Sequence, residues 1–256
     1  HFHGYDAVRK DVIEDLGDQY RDMFAYASAV IAVSKVMYKK LLHLGCPEEI
    51  LVLNTYGPHP DFADVEAEHT HQHLVGLGRF ADKKAPYYTI LAFKDVLDEF
   101  PGAKLTLAGE GPLLDVCKNL VRYYEIDQFV RFPGPIQRED YIEMLKTCRA
   151  YVQHSLTPEN GDMEGTPLSI LEAQAAGVPV ISTNHAGIPD VVVHEETGLL
   201  CDEHDVKTMS EHMLRLLGSR KLATEMGKKA KIRIRENFSL KRHLDKLEEV
   251  IMRVNG

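Results

Sequence analysis

GDMEGTPLSILEAQAAGVPVIST, residues 161–183, is the stretch whose reading decides the fold. Thr166 has the side chain of a helix N-cap, Pro167 suits the first helical position and Gly177 suits a helix end. Val178–Ser182 then reads as a short buried strand. Loop, helix and strand in that order form one link of a βα repeat.

The same rhythm extends outward. Strands are expected at His73–Leu77, Lys104–Ala108, Phe129–Phe132 and Ala150–Gln153. Helices are expected near Pro86–Glu99, Leu113–Tyr124 and Glu139–Thr147. Upstream lie a helix near Gly17–Ser28, a strand at Ala29–Val33, a helix capped by Ser34 and ended by Gly45, and a strand at Ile50–Leu53. TYGPHPDFADVEAEHTHQH, residues 55–73, has no clear period and reads as a linker. The end of the chain reads as three helices, at Val206–Leu217, Lys221–Glu236 and Leu240–Val254. The fold class is therefore α/β, a Rossmann-like parallel sheet with helices on both faces. Ligands of such sheets sit at the carboxyl ends of the strands, where the loops are richest in motifs.

Composition narrows the function. The chain has 256 residues and a net charge of −9, which argues against a nucleic-acid partner. Hydrophobic residues make up 44%, enough for real cores. No apolar run approaches the roughly 20 residues of a membrane span. The four cysteines are scattered, without a C-x-x-C, as suits a reducing compartment. The chain opens on HFHGYDA, with neither Met nor a signal-peptide pattern, and reads as part of a longer protein.

Five segments could carry chemistry. Glu164 precedes the helix near Thr166 and Glu172 lies eight positions on, so one carboxylate can meet a sugar and the other a vicinal diol. The amides of Gly165, Thr166 and Leu168, around Pro167, would be open to an anion. In GRFADKK, Arg79 and Lys84 offer a fork and a point charge suited to a diphosphate. AGEGP, with Gly109 and Gly111, permits close backbone approach, and it is not a dinucleotide fingerprint. His3 could present an imidazole at a strand end. His69, His71 and His73 alternate, yet no Cys or carboxylate at ligand spacing joins them, so no metal site is expected. Each segment alone is equally a cap, a turn or a solvated charge.

Together they are specific. GRFADKK, AGEGP, RFPGPI, EGTPLSILEA, AGVPVIST, GIPDVV and ETGLL, in this order over residues 70 to 236, resemble the donor half of the retaining GT-B glycosyltransferases of family 4. PENGDMEGTP resembles the subset that builds bacterial exopolysaccharides, colanic-acid-type enzymes included. HFHGYDA and ASAVIAVSK resemble the end of that family's acceptor-side domain.

The resemblance implies a domain plan: residues 1–60 as the tail of an acceptor-side α/β domain, 61–72 as a linker, 73–236 as the donor domain and 237–256 as a helix packing back. It also implies roles. Glu172 would bind the donor ribose, Glu164 would face the donor sugar, and Arg79 and Lys84 would stabilise the departing diphosphate, helped by the amides from Gly165 to Leu168. Gly109 would lie against the nucleotide, Ile136 would meet the base, and His3 would sit near the donor sugar. The expected donor is a UDP-sugar rather than a GDP-sugar, and the expected acceptor a glycan or lipid-linked molecule. No cofactor is expected. The expected location is the cytoplasm, with loose association at the inner face of a membrane, to which the charge of −9 lends no support. A donor-binding module without turnover and a GT-B epimerase are the alternatives.

Overall fold

The computed structural model describes residues 1–255. Two parallel sheets organise them. In the first, Phe2 bridges Ala32, followed by helices α1 (Tyr5–Val8) and α2 (Lys10–Tyr26). Strand β1 (Val30–Ala32), helix α3 (Lys35–His43) and strand β2 (Leu51–Leu53) complete it. Ser34 caps α3, its Oγ accepting the Met37 N–H at 3.2 Å. Gly45, at φ +93°, turns the chain beyond that helix. Helix α2 begins well before Gly17, the expected start. Tyr20 and Phe24, one turn apart, pack on Phe2 and hold the helix through its glycine.

The second sheet has six strands: β3 (His73–Leu77), β4 (Lys104–Ala108), β5 (Val130–Arg131), β6 (Ala150–Val152), β7 (Val180–Thr183) and β8 (Gly198–Cys201). All pairings are parallel, in the order β5-β4-β3-β6-β7-β8. The chain enters at the centre with β3, lays two strands on one side, then returns to lay three on the other. The order reverses between β3 and β6, and the crevice outside the carboxyl ends there is where doubly wound sheets bind ligands.

Among the described residues seven helices surround this sheet: α4 (Pro86–Val96), α5 (Leu114–Tyr123), α6 (Arg138–Thr147), α7 (Leu168–Ala175), α8 (Ile188–Val191), α9 (Val206–Gly218) and α10 (Arg220–Asn237); α11 (Leu240–Asn255) follows and meets the first sheet. The pleat sends alternate side chains into two cores. Leu74, Ala150, Val152, Ile181 and Leu199 join α4, α5 and α9. Val75, Tyr151, Val180 and Leu200 join α6, α7 and α8. Helix α10 gives Met226 to the first core and Ile234 to the second.

The stretch read as a linker is packed. A turn of 3-10 helix, Pro60–Asp64, buries Phe62 edge-on against Tyr141, with ring centroids 5.7 Å apart. His69 is also buried, at φ +53°, ahead of β3, so His69, His71 and His73 do not share a strand face. The reason is Arg149, a buried guanidinium that donates to the carbonyls of His69, Leu216 and Leu217 and ties this stretch to the end of α9. Further along, Asn54 Nδ2 donates to His243 O at 3.1 Å, joining β2 to α11. All four cysteines are free and buried, and burial pushes the thiols of Cys117, Cys148 and Cys201 up to about 12. Among the described residues no helix is long and apolar enough to cross a membrane.

Gly227 sits inside α10 because a Cβ there would lie 1.9 Å from Gly177 O. Gly227→Ala should therefore lower stability by about 1–2 kcal/mol. Overpacking costs about 1–3 kcal/mol or more, and helix propensity returns only ~1 kcal/mol. Gly102→Ala, with nothing within 4 Å, should shift it by less than ~1 kcal/mol. Urea midpoints at constant m-value check both.

Candidate functional site

Backbone crowding shapes the crevice first. The loops after β3 and β4 run against each other: Gly78 N–H donates to Ala108 O at 3.0 Å, and Phe80 N–H to Glu110 O at 2.8 Å. Gly109, at φ +124°, could not carry a Cβ, which would lie 2.1 Å from Gly78 O. Its N–H donates to Gly134 O at 2.8 Å, which brings in the PGPI loop, where Ile136 is half-buried. Gly109 and Ile136 thus belong to neighbouring loops at one side of the crevice.

A 3-10 turn, Asp82–Lys84, then places two lysines side by side, and Ala85, at φ +33°, turns the chain into α4. Lys83 Nζ stands 3.1 Å from Asp162 Oδ1. Lys84 Nζ stands 3.0 Å from Glu164 Oε1 and 3.2 Å from Gln153 Oε1. Two ion pairs therefore pin the loop after β6 to the loop after β3, across the point where strand order reverses.

Glu164 is buried, with a side chain 8% exposed. Lys84 Nζ is the one described cation within ion-pair distance of its carboxylate. Burial works to raise its pKa; the charges of Lys84 and Lys83 outweigh this and hold the carboxyl below its usual range. The Glu164 main-chain N–H donates to His185 Nε2 at 3.1 Å.

Glu172, on α7, behaves oppositely. Burial raises it to about 6, against a weaker pull from Arg138, and no described residue hydrogen-bonds its carboxylate. The first turn of α7 is anchored from below: the Tyr151 hydroxyl lies 2.8 Å from Ser169 Oγ and 2.9 Å from Gln153 Oε1, and Tyr141 donates to Ser169 O.

The N-terminus of α7 differs from the expectation. Helix α7 starts at Leu168, and Pro167 stands just before it. Thr166 is not the cap. It is buried against β1, and its Oγ1 donates to Val33 O at 3.0 Å. Without a side-chain cap, the N–H groups of Gly165, Thr166, Leu168 and Ser169 donate to no described residue.

Arg79 lines the same crevice as Lys84, Gln153 and Gly78. It is exposed and pairs with no described carboxylate, so Lys84, not Arg79, contacts Glu164. His3 lies at the border: a Cβ on Gly165 would meet His3 O at 2.7 Å. The His3 imidazole stacks on Tyr56 and its Nδ1 hydrogen-bonds the Tyr56 hydroxyl. Lys83, Asp162, Gln153, His185 and Glu203 escaped the sequence reading. The adjacent lysines and the alternating Asp162 and Glu164 were its faint signal.

The chain was compared with known proteins. The AmsK glycosyltransferase of Erwinia amylovora, named for amylovoran biosynthesis, is 28% identical over 84% of this chain and 54% of its own length. WcaL of Escherichia coli, named for colanic acid biosynthesis, is 27% identical over 83% of this chain and 53% of its own. The chain thus spans about half the length of the curated relatives it matches. Among solved structures, HepE of Anabaena in complex with UDP superposes with a TM-score of 0.83 at 15% identity, covering 93% of this chain and 68% of that one. TarM of S. aureus gives 0.78 at 20% identity, covering 91% and 45%. These likenesses show the fold. The family model of glycosyl transferases group 1 matches residues 60–233, more than half of the chain, and the chain belongs to that family.

Proposed function

We propose that the protein is a retaining glycosyltransferase of polysaccharide biosynthesis, moving a sugar from a UDP-sugar to a glycan or lipid-linked acceptor. The observation that carries the reading is the junction at the strand-order reversal. There a buried carboxylate paired with Lys84, the second lysine Lys83 and N–H groups at the start of α7 that donate to no described residue converge. Family membership, relatives named for amylovoran and colanic acid biosynthesis, and fold neighbours in complex with UDP support it.

In this reading the diphosphate lies at the N-terminus of α7, on the amides from Gly165 to Ser169, with Arg79 and Lys84 above it. Glu172 accepts the two ribose hydroxyls. Glu164 accepts a hydroxyl of the donor sugar. Gly109 lets the nucleotide approach the backbone, the loop at Ile136 meets the base, and His3 stands at the acceptor side. As the anomeric C–O bond breaks, positive charge grows on the sugar and negative charge on the diphosphate. The ionised Glu164 stabilises the first; Arg79, Lys84 and the amides stabilise the second, without a metal or cofactor.

Calorimetry with UDP tests binding, and a mass assay of sugar transfer by the full-length protein tests turnover. Arg79→Ala should weaken UDP binding about tenfold with stability unchanged, because Arg79 is exposed and unpaired among the described residues. Lys84→Met should cost transfer activity at least about 100-fold and also about 3 kcal/mol of stability, because it leaves the Glu164 charge buried alone. Equal stability losses for the two variants would contradict this geometry.

Glu172 predicts a pH dependence. Its carboxyl is raised in the fold, so its proton-linked stability is present at low pH and lost as pH rises through about 6. Ribose binding runs the other way, since it needs the ionised form. Affinity for a UDP-sugar, whose diphosphate has no titration in that range, should fall as pH drops below about 6. Glu172→Gln should bind more weakly at neutral pH and show no such fall.

A further inference from the structure

We infer that His185 and Glu203 form a positioning relay that sets the main chain, and through it the carboxylate, of Glu164. The inference rests on the reading above, in which Glu164 faces the donor sugar.

The Glu164 side chain has one close side-chain partner among the described residues, the ammonium of Lys84 at 3.0 Å, and a lysine head on a flexible stem is a poor director. The aim therefore comes from the backbone at residues 163–165. Gly165 is wedged there between His3 O and Val33, and a Cβ on Gly187 would lie 1.8 Å from Gly165 O. The hydrogen bond from Glu164 N–H to His185 Nε2, at 3.1 Å, fixes this segment from the side of β7.

That bond dictates the state of the imidazole. An amide can only donate, so Nε2 must offer its lone pair and the proton must sit on Nδ1. Nδ1 lies 2.7 Å from Glu203 Oε1, which accepts it. Glu203 is itself seated by the Thr157 N–H, which donates to Oε2 at 2.9 Å, and by the Thr157 hydroxyl at 3.4 Å from Oε1. Burial raises the Glu203 carboxyl, but the Thr157 amide and His185 outweigh this and hold it below its usual range. The His185 ring is fully buried, so no solvent substitutes for either partner. His154 and His204, the other imidazoles nearby, are engaged elsewhere: His154 Nε2 accepts the His204 N–H, and His204 Nδ1 meets the Tyr88 hydroxyl.

The relay links three consecutive strand ends. Glu164 and Thr157 belong to the loop after β6, His185 to the loop after β7 and Glu203 to the loop after β8. With Glu203 as carboxylate, one tautomer is enforced. Without it, Nδ1–H is buried with no acceptor and only the Glu164 amide favours this tautomer, so part of the population shifts to Nε2–H, where N–H opposes N–H.

Because His185 is fully buried and His185→Ala could fail to fold, variants of the partly exposed Glu203 carry the test. In the chain itself, nitrogen-15 NMR of the histidines should show His185 protonated at Nδ1 and bare at Nε2. Hydrogen exchange should show the Glu164 amide protected. Glu203→Ala should mix the tautomers and speed that exchange at least about tenfold, and Glu203→Gln, which keeps an acceptor for Nδ1–H, should restore most of the protection. In the full-length protein, Glu203→Ala should lower kcat by tens-fold to about 100-fold, the scale set by a small misplacement of a reacting group. UDP affinity should fall much less than kcat, since UDP carries no donor sugar and keeps the amides of Leu168 and Ser169, and Glu203→Gln should recover kcat.

Protonated Nε2 in the wild type, or unchanged exchange in Glu203→Ala, overturns the relay whether or not the protein transfers sugar. Equal losses of kcat and UDP affinity would mean general damage and overturn it too. A wild-type protein without transferase activity contradicts the proposed function alone, and the NMR and exchange results still decide the relay.

Discussion

The ion pair between Lys84 and Glu164 is the contact on which the rest of this structure converges. It joins the loop after β3 to the loop after β6, the two strand ends between which sheet order reverses. A carboxylate at 8% exposure needs compensation, and one ammonium at 3.0 Å supplies only part of it. The neighbouring Lys83–Asp162 pair, the Gln153 side chain and the main-chain bond to His185 hold the geometry that keeps the pair together.

Close backbone approach is the second constraint. Gly78, Gly109, Gly165 and Gly187 mark places where a Cβ would lie within 3 Å of another atom, and all four stand at carboxyl ends of strands. They let neighbouring loops meet closely, as where the N–H groups of Gly78 and Gly109 donate to Ala108 O and Gly134 O. The same economy of space operates away from the crevice, at Gly227 against Gly177, where it only joins a helix to a turn.

The sheet was legible because its strands are short apolar runs between turn residues. His73–Leu77 and Lys104–Ala108 match the expected bounds, β1, β2, β5, β6 and β7 differ by a residue or two, and the edge strand β8, Gly198–Cys201, was not expected. The α7 terminus was less legible. Thr166 has the chemistry of a cap, but its hydroxyl is drawn to Val33 O by a contact 133 residues away in sequence. The stretch 55–73 reads as polar because His, Asp and Glu dominate it, whereas its structure depends on Phe62 and on Arg149, far along the chain. For the site, order along the chain pointed to Glu164, Glu172, Arg79 and Lys84. It could not show that Lys84 pairs with Glu164 while Arg79 remains exposed, since that depends on how two loops meet. His185 and Glu203 lay beyond reach for the same reason.

The account's central claim is that the crevice at the strand-order reversal receives a nucleoside diphosphate. Amide chemical-shift mapping of this chain during titration with UDP tests it most directly. The account predicts shifts concentrated at Gly78–Lys84, Gly109–Gly111, Gly134–Ile136 and Glu164–Glu172. Absence of shifts there would contradict it. So would shifts confined to the apolar cavity of about 660 Å³ bordered by Pro58, Pro60, Ile232 and Leu240.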